Sequence, residues 1–325
     1  MVAQLRQYGT LTGFIAVVCI FWWLLPDTFL TARNLLNVSQ QISMLAVVAF
    51  TMTIVMAMGD FDLSVGSMAS LSGVTVAVLF THNWPMAPAV GAALMVGLLG
   101  GLLNGWLVSF VRILPFVATL ATLTIYSGAA FLISGGKTIF GRDIPNTFGE
   151  FARGGLPLDW LGFEKLRIPA LTIIALLVLI AVWYLLEKRV FGRHLYVIGN
   201  NKDAAHYAGI AVRRQRLIAF ALTGVGAALA GLMLASRVAS ANPTQGAGLM
   251  LDAIAAVFLG MSLHRNNEPH VMATFIGVLM LGLLDNGLTQ LSVDSYIREI
   301  LVGVILLLAV GASVVGARRT SLSPA

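Results

Sequence analysis

The chain has 325 residues, 58% of them hydrophobic and only 10% charged, with a formal net charge of +6. A soluble domain carries about 25% charged residues, so the composition excludes a water-soluble globule and leaves an all-α polytopic membrane protein. At about 20 apolar residues per crossing, one transmembrane domain over residues 1–325 has room for about ten transmembrane helices. It has none for a second soluble domain. The net charge is not a nucleic-acid signal, because its meaning depends on which loops hold it, and no nucleic-acid partner is expected.

In chain order, apolar runs predict spans at about 10–25, 43–58, 65–81, 86–110, 114–133, 169–186, 216–236, 249–262, 271–289 and 296–312. The run beginning after Arg6 has no small-residue cleavage site behind it, so it reads as a retained helix rather than a signal peptide. Cys19, the single cysteine, lies inside that run and can form no disulfide within one chain. Between the first two runs, Thr31 to Ser43 reads either as an amphipathic helix in the interface or as a simple loop. Several runs are short for a straight crossing, and nine spans with one re-entrant segment is the alternative count.

Two longer connections set the orientation. Residues 187–216 hold seven basic side chains (Lys188, Arg189, Arg193, Lys202, Arg213, Arg214, Arg216) against two acidic ones, Glu187 and Asp203. Residues 134–168 hold five basic against four acidic side chains. The positive-inside bias assigns 187–216 to the cytoplasm and 134–168 to the outside. Counting spans from there makes both termini cytoplasmic, with Arg6 at one and Arg318 and Arg319 at the other.

A weak internal repeat is also present. Asp62 opens DLSVGSMASLSG and Asp252 opens DAIAAVFLGMSL, and each is followed by a Gly-rich run ending in LLNG or LLDNG. In the expected topology the two run in opposite directions, which makes a 5+5 inverted repeat of the kind many transporters have.

The residues that could carry chemistry are few. Gly59-Asp60-Phe61-Asp62-Leu63-Ser64 puts two carboxylates beside a span, where an ionisable group usually faces water or the bundle interior. Asp60 or Asp62 could line a polar pathway, and Asp62 or Ser64 could cap the following helix; the two roles are compatible. Asn104, Phe116 after Pro115, Asp252 and Asn286 complete the candidate pathway or gate. Gly97, Gly101 and Gly105 recur on one helix face, a pattern for close helix packing. An aspartic-protease dyad fails because Asp60 and Asp252 fall on opposite sides of the expected topology. Gly135-Gly136-Lys137-Thr138 ends like a phosphate loop but has Phe131 where the first glycine must be. The five histidines have no metal-ligand spacing. No metal, cofactor or catalytic residue is expected, and any ATP must be hydrolysed by another chain.

Gly192 to Ile210 is a soluble-looking, basic segment between two apolar runs. Asn200 or Asn201 can cap a short helix from Lys202 to Ala208, and Gly209 can end it. Ala204, Ala205 and Ala208 give that helix a small-residue face. It reads as a docking element or as an ordinary loop helix.

The words Gly192-Arg193-x-x-Tyr196-x-Ile198-Gly199-x-Asn201, then Ala204-Ala205 and Gly209-Ile210, closely resemble the coupling loop of ribose-type ABC importer permeases. Matching words run in order from Phe29-Leu30-Thr31 and Asn34-Leu35-Leu36-Asn37, through Asp62-Leu63-Ser64-Val65-Gly66-Ser67, Leu103-Asn104-Gly105 and Leu251-Asp252-Ala253-Ile254, to Asn286-Gly287. The resemblance implies a subunit of the bacterial inner membrane that works as a homodimer or as a heterodimer with a sister permease. Its partners would be ABC ATPase subunits, which bind the ATP and Mg, and a periplasmic sugar-binding protein. Coupling to the ATPase would fall on Gly199, Asn201, Lys202, Asp203, Ala204, Ala205 and Gly209. One departure stands out: the family's Gly-rich turn is replaced here by Gly260-Met261-Ser262-Leu263-His264-Arg265-Asn266-Asn267-Glu268-Pro269-His270. An ion-coupled secondary transporter, or an ABC permease for another small polar solute, is the alternative function.

Overall fold

The computed structural model describes residues 2–159, 166–264, 268–297, 299–301, 303, 304 and 307. The chain is built from helices: α1 (Val2–Leu24), α2 (Ala32–Met56), α3 (Val65–Thr81), α4 (Met86–Trp106), α5 (Pro115–Ser134), α6 (Asn146–Arg153), α7 (Ala170–Trp183), α8 (Val190–Asn200), α9 (Lys202–Tyr207), α10 (Val212–Val238), α11 (Leu249–Leu263) and α12 (Val271–Gln290). Nine of the ten predicted apolar runs are helices. The run at 296–312 falls largely outside the described residues, as do Arg318 and Arg319. Among the described residues, six helices are long and apolar enough to cross a membrane: Ala32–Met56, Met86–Val111, Pro115–Ser134, Ala170–Lys188, Val212–Val238 and Val271–Gln290. The molecule is an all-α polytopic membrane protein.

Prolines open four of these helices, with Pro145 at the N-cap of α6. Pro85 and Pro169 sit at the N-caps of α4 and α7, and Pro115 is in the first turn of α5, where a missing N–H costs nothing. The amphipathic stretch at 31–43 is not a separate interfacial helix: it forms the opening turns of α2. The reason is visible in the composition of Ala32–Met56, which contains neither Gly nor Pro to stop a helix once it has started.

The chain divides into two compact units, Met1–Ile42 with Leu251–Ala325, and Ser43–Met250. In the second, the core seam lies between α4 and α10. A Cβ at Gly101 would stand 2.3 Å from the Phe220 carbonyl oxygen, and one at Gly224 would stand 2.3 Å from that of Gly97. Only bare Cα atoms permit this approach, so the glycine stripe of α4 is spent on packing inside the chain. Helix α3 lies on the same partner, with Ser72 Oγ donating to the Ala228 carbonyl at 3.0 Å.

The two longer connections meet opposite ends of α3. At its C-terminal end, Phe80 packs edge-on against Phe148 of α6 with ring centroids 5.1 Å apart. Ser236 Oγ of α10 donates to the Phe148 carbonyl at 2.5 Å. A two-residue antiparallel pairing joins β1 (Ile139–Phe140) to β2 (Ser240–Ala241) in the same region. At the N-terminal end lie the Gly59–Ser64 turn and, against it, α9. The 17 residues of α3 separate these ends by about 25 Å at 1.5 Å per residue.

In the other unit α11 and α12 approach as closely as α4 and α10 do: a Cβ at Gly277 would stand 2.0 Å from the Ala256 carbonyl oxygen. Phe21 of α1 covers Gly287, and its ring lies 5.3 Å from that of Phe29, which is fully buried.

Candidate functional site

Helix α9 is a short element with both ends closed. Asn201, not Asn200, is the N-cap: in an extended conformation (φ −156°, ψ 107°), it accepts at Oδ1 from the backbone N–H groups of Asp203 (3.0 Å) and Ala204 (2.9 Å). Asn200 is the last residue of α8. At the far end Gly209 takes φ +79°, and the Ile210 N–H returns to the Ala205 carbonyl at 3.0 Å. Glycine supplies the left-handed conformation that such a helix stop needs.

The exposed face of α9 differs from the expected one. Ala205 is fully buried, packed toward the body of the chain. It therefore seats the helix and offers nothing to a partner. Lys202, Asp203, Ala204, His206, Tyr207 and Ala208 are exposed. Tyr207 is 88% exposed, a large aromatic ring on a six-residue helix with the His206 ring beside it, centroids 6.0 Å apart. The alanines mark a small-residue face in the sequence but not this ring, for which the available signal is an aromatic residue in a polar, basic loop.

Below α9 the chain makes a close backbone contact. A Cβ at Gly199 would stand 2.3 Å from the Ala57 carbonyl oxygen, so the junction of α8 and α9 lies directly on the chain leaving α2. Next to that contact, Asp60 accepts at Oδ1 from Arg216 Nη2 of α10 at 2.7 Å and from Lys202 Nζ of α9 at 3.3 Å. The Asp60 side chain is 1% exposed, that of Arg216 14% and that of Lys202 48%. In the sequence Arg216 is distinguished only as one of the seven basic charges of the 187–216 connection.

Two residues on, Asp62 has different company. Its Oδ1 accepts from the Ser64 N–H at 2.9 Å and from Ser64 Oγ at 2.6 Å. Asn104 Nδ2 of α4 donates to Ser64 Oγ at 2.8 Å and reaches both Asp62 oxygens at 3.4 and 3.5 Å. Tyr126 of α5 closes the group, donating its hydroxyl to the Gly100 carbonyl at 2.9 Å. Ser64 occupies the N-cap position of α3, but its hydroxyl makes no capping bond. The carboxylate of Asp62 takes the Ser64 N–H instead.

The remaining candidates lie elsewhere. Phe116 is 58% exposed on the first turn of α5. Asp252 sits in the first turn of α11, where the helix dipole favours a negative charge. Asn286 of α12 forms a reciprocal amide pair with Asn34 of α2 at 2.8 and 3.2 Å, and Gln290 Nε2 donates to the same Asn286 Oδ1 at 2.8 Å. Asp252 and Asn286 belong to the unit formed by the chain ends. Among the described residues no group of three His, Cys, Asp or Glu side chains could hold a metal ion.

Residues 34–310 match the family described as the permease component of the branched-chain amino acid transport system. The chain belongs to that permease family. It is 36% identical over 306 residues to the ribose import permease protein of Bacillus subtilis (strain 168), covering 94% of this chain and 92% of that one. It is 31% identical to the D-allose transport system permease protein of Escherichia coli (strain K12), covering 94% and 90%. The xylose transport system permease protein of the same strain is also 31% identical, covering 94% and 91%. No solved structure matches.

Where the permease lacks the expected Gly-rich turn, residues 265–267 lie outside the described ones. On either side of them His264 and His270 stack face to face, with ring centroids 4.9 Å apart and planes 11° from parallel. Gly260, the first glycine of that turn, keeps its close approach: a Cβ there would stand 2.5 Å from the Ala273 carbonyl carbon.

Proposed function

We propose that the permease is the membrane subunit of an ATP-driven importer of a monosaccharide, with α9 as the helix on which a separate ATPase docks. The observation that carries this reading is the construction of α9. It is capped at both ends, seated by a buried alanine, and leaves an 88% exposed tyrosine outward. Exposed tyrosine is an energetically strong contact residue in protein interfaces, and a rigid short helix loses little entropy on docking. The ribose, D-allose and xylose specificities in the names of its relatives support a sugar as cargo.

In this reading residues 1–325 act as one permease domain of the bacterial inner membrane, with ten spans in a 5+5 inverted arrangement. The basic 187–216 connection and both termini are cytoplasmic, and the positive-inside bias supports that orientation. The ATP and Mg belong to the ATPase. The permease pairs with a second copy or a sister subunit, and a periplasmic binding protein delivers the sugar. Contact with the binding protein falls at the other end of α3 from α9, where Arg142, Asn146, Glu150, Arg153 and Ala239 line a cleft of about 660 Å³. The candidate pathway or gate residues are Asp60, Asp62, Ser64, Asn104 and Phe116 in the unit of residues 43–250, and, separately, Asp252 and Asn286 in the unit of the chain ends.

The test uses the permease co-expressed with its ATPase subunit in a Cys19→Ser background. Ala204→Cys and Tyr207→Cys are expected to form cross-links to the ATPase, and Ala205→Cys is not. Tyr207→Ala should weaken co-purification of the ATPase by tenfold or more. Proteoliposomes holding the full transporter should take up one of D-ribose, D-xylose or D-allose only with ATP. Uptake by the permease alone on an ion gradient would sink the proposal.

A further inference from the structure

The chemistry at Asp60 is not explained by capping or by a polar pathway. Its carboxylate lies in the turn that leads into α3, yet both of its partners come from far along the chain, one from α9 and one from α10. Both cations share a single oxygen, Oδ1. Among the described residues nothing hydrogen-bonds to the buried Oδ2, or to the buried Nε of Arg216. The cluster is thus incompletely satisfied, which is costly for buried charge and unusual for a group with only a structural task.

The two arms are unequal. Arg216 is largely buried and its bond is short, at 2.7 Å. Lys202 is half exposed and sits at 3.3 Å, in the range where solvent screening leaves an ion pair weak. Arg216 is therefore the fixed partner of Asp60, and Lys202 the one that can leave. Lys202 is also the first residue of α9, so anything that tilts or pulls that helix moves its ammonium group first. The backbone contact of Gly199 on Ala57 supplies a second, steric point of connection to the same turn.

From Asp60 the connection continues inward without a gap. Asp62, two residues on, is bonded to Ser64 at the start of α3, and Ser64 is bonded to Asn104 of α4. A displacement of the turn at Asp60 must shift or break the hydrogen bonds that hold the ends of α3 and α4 together.

We propose that Asp60 is a positioning residue for transport: a carboxylate held by Arg216 and gripped reversibly by Lys202, which passes the movement of α9 to the turn that begins α3. The proposal rests on the reading of α9 as the ATPase-docking helix.

The test compares the full transporter, permease with ATPase and binding protein, in proteoliposomes. The readout is sugar molecules moved per ATP hydrolysed, for whichever of D-ribose, D-xylose or D-allose the unaltered transporter takes up. Lys202→Ala and Asp60→Asn are each expected to lower that ratio at least tenfold with the ATPase still bound, and Lys202→Arg to restore it to within twofold of the unaltered transporter. A residue needed only for folding would reduce uptake and hydrolysis together and leave the ratio unchanged; that outcome overturns the proposal. So does a Lys202→Ala transporter with a normal ratio. Loss of the ATPase from Lys202→Ala but not from Asp60→Asn would make Lys202 a docking contact, which overturns the clasp and leaves the reading of α9 standing. Failure of the unaltered permease to bind the ATPase would remove both.

Discussion

Asp60 and Asp62 stand two residues apart in one turn, and both are almost completely buried, at 2% and 1% exposure. Their surroundings have nothing in common. Asp60 faces two cations, one of them carried on the exposed helix α9. Asp62 faces a serine, an asparagine and the start of α3, all neutral. The turn thus separates a charged side, tied to the basic connection, from a polar side, tied to the helix bundle. Burial alone says nothing about which kind of carboxylate a residue is; its partners decide that.

The same substitution at both positions tests the contrast most directly. Asp60→Asn removes the counter-charge from a largely buried guanidinium, a loss that costs about 3–5 kcal/mol at buried pairs; the residual exposure of Arg216 places the expected value near the lower end. Asp62→Asn keeps an oxygen that can accept from the Ser64 N–H and hydroxyl, so the expected loss is about 1 kcal/mol, that of one net hydrogen bond. Unfolding of the purified permease by denaturing detergent measures both. Equal losses at the two positions would abolish the distinction between the charged and polar sides of the turn.

Which parts of this were legible in the sequence follows from what is local and what is not. The span expected at 65–81 is α3, residue for residue, because the Gly59–Ser64 break and the His82-Asn83-Trp84-Pro85 end are both written locally. Residues 31–43, which read as an interfacial helix or as a simple loop, are neither for a related reason: their polar residues suggest an interface, but with no Gly or Pro after them the helix runs on as α2. The cap at Asn201 and the stop at Gly209 were readable from residue type. The burial of Ala205 was not, since a six-residue helix of small and polar side chains has no periodicity to mark its inner face. The partners of Asp60 are beyond any pattern argument. Lys202 and Arg216 are two of seven basic residues in the connection, and only the packing of α9 and α10 selects them. The glycine stripe of α4 announced a close approach, but that α10 is the partner, through Gly224, is a tertiary fact.

The weaker arm of the clasp gives the smallest expected change in stability and the most discriminating one. Lys202→Ala removes an ion pair whose ammonium side is 48% exposed, and such pairs contribute about 0–1 kcal/mol. Arg216 remains on Asp60, so no buried charge is left unpaired and the permease should unfold within about 1 kcal/mol of the unaltered chain. If the pair existed for stability, so small a loss would be accompanied by an equally small effect on transport. A tenfold fall in sugar moved per ATP alongside it would mean that the pair is kept weak because it must open. A loss of several kcal/mol would mean instead that Lys202 is a fixed part of the turn, and that Asp60 is as structural as Asp62.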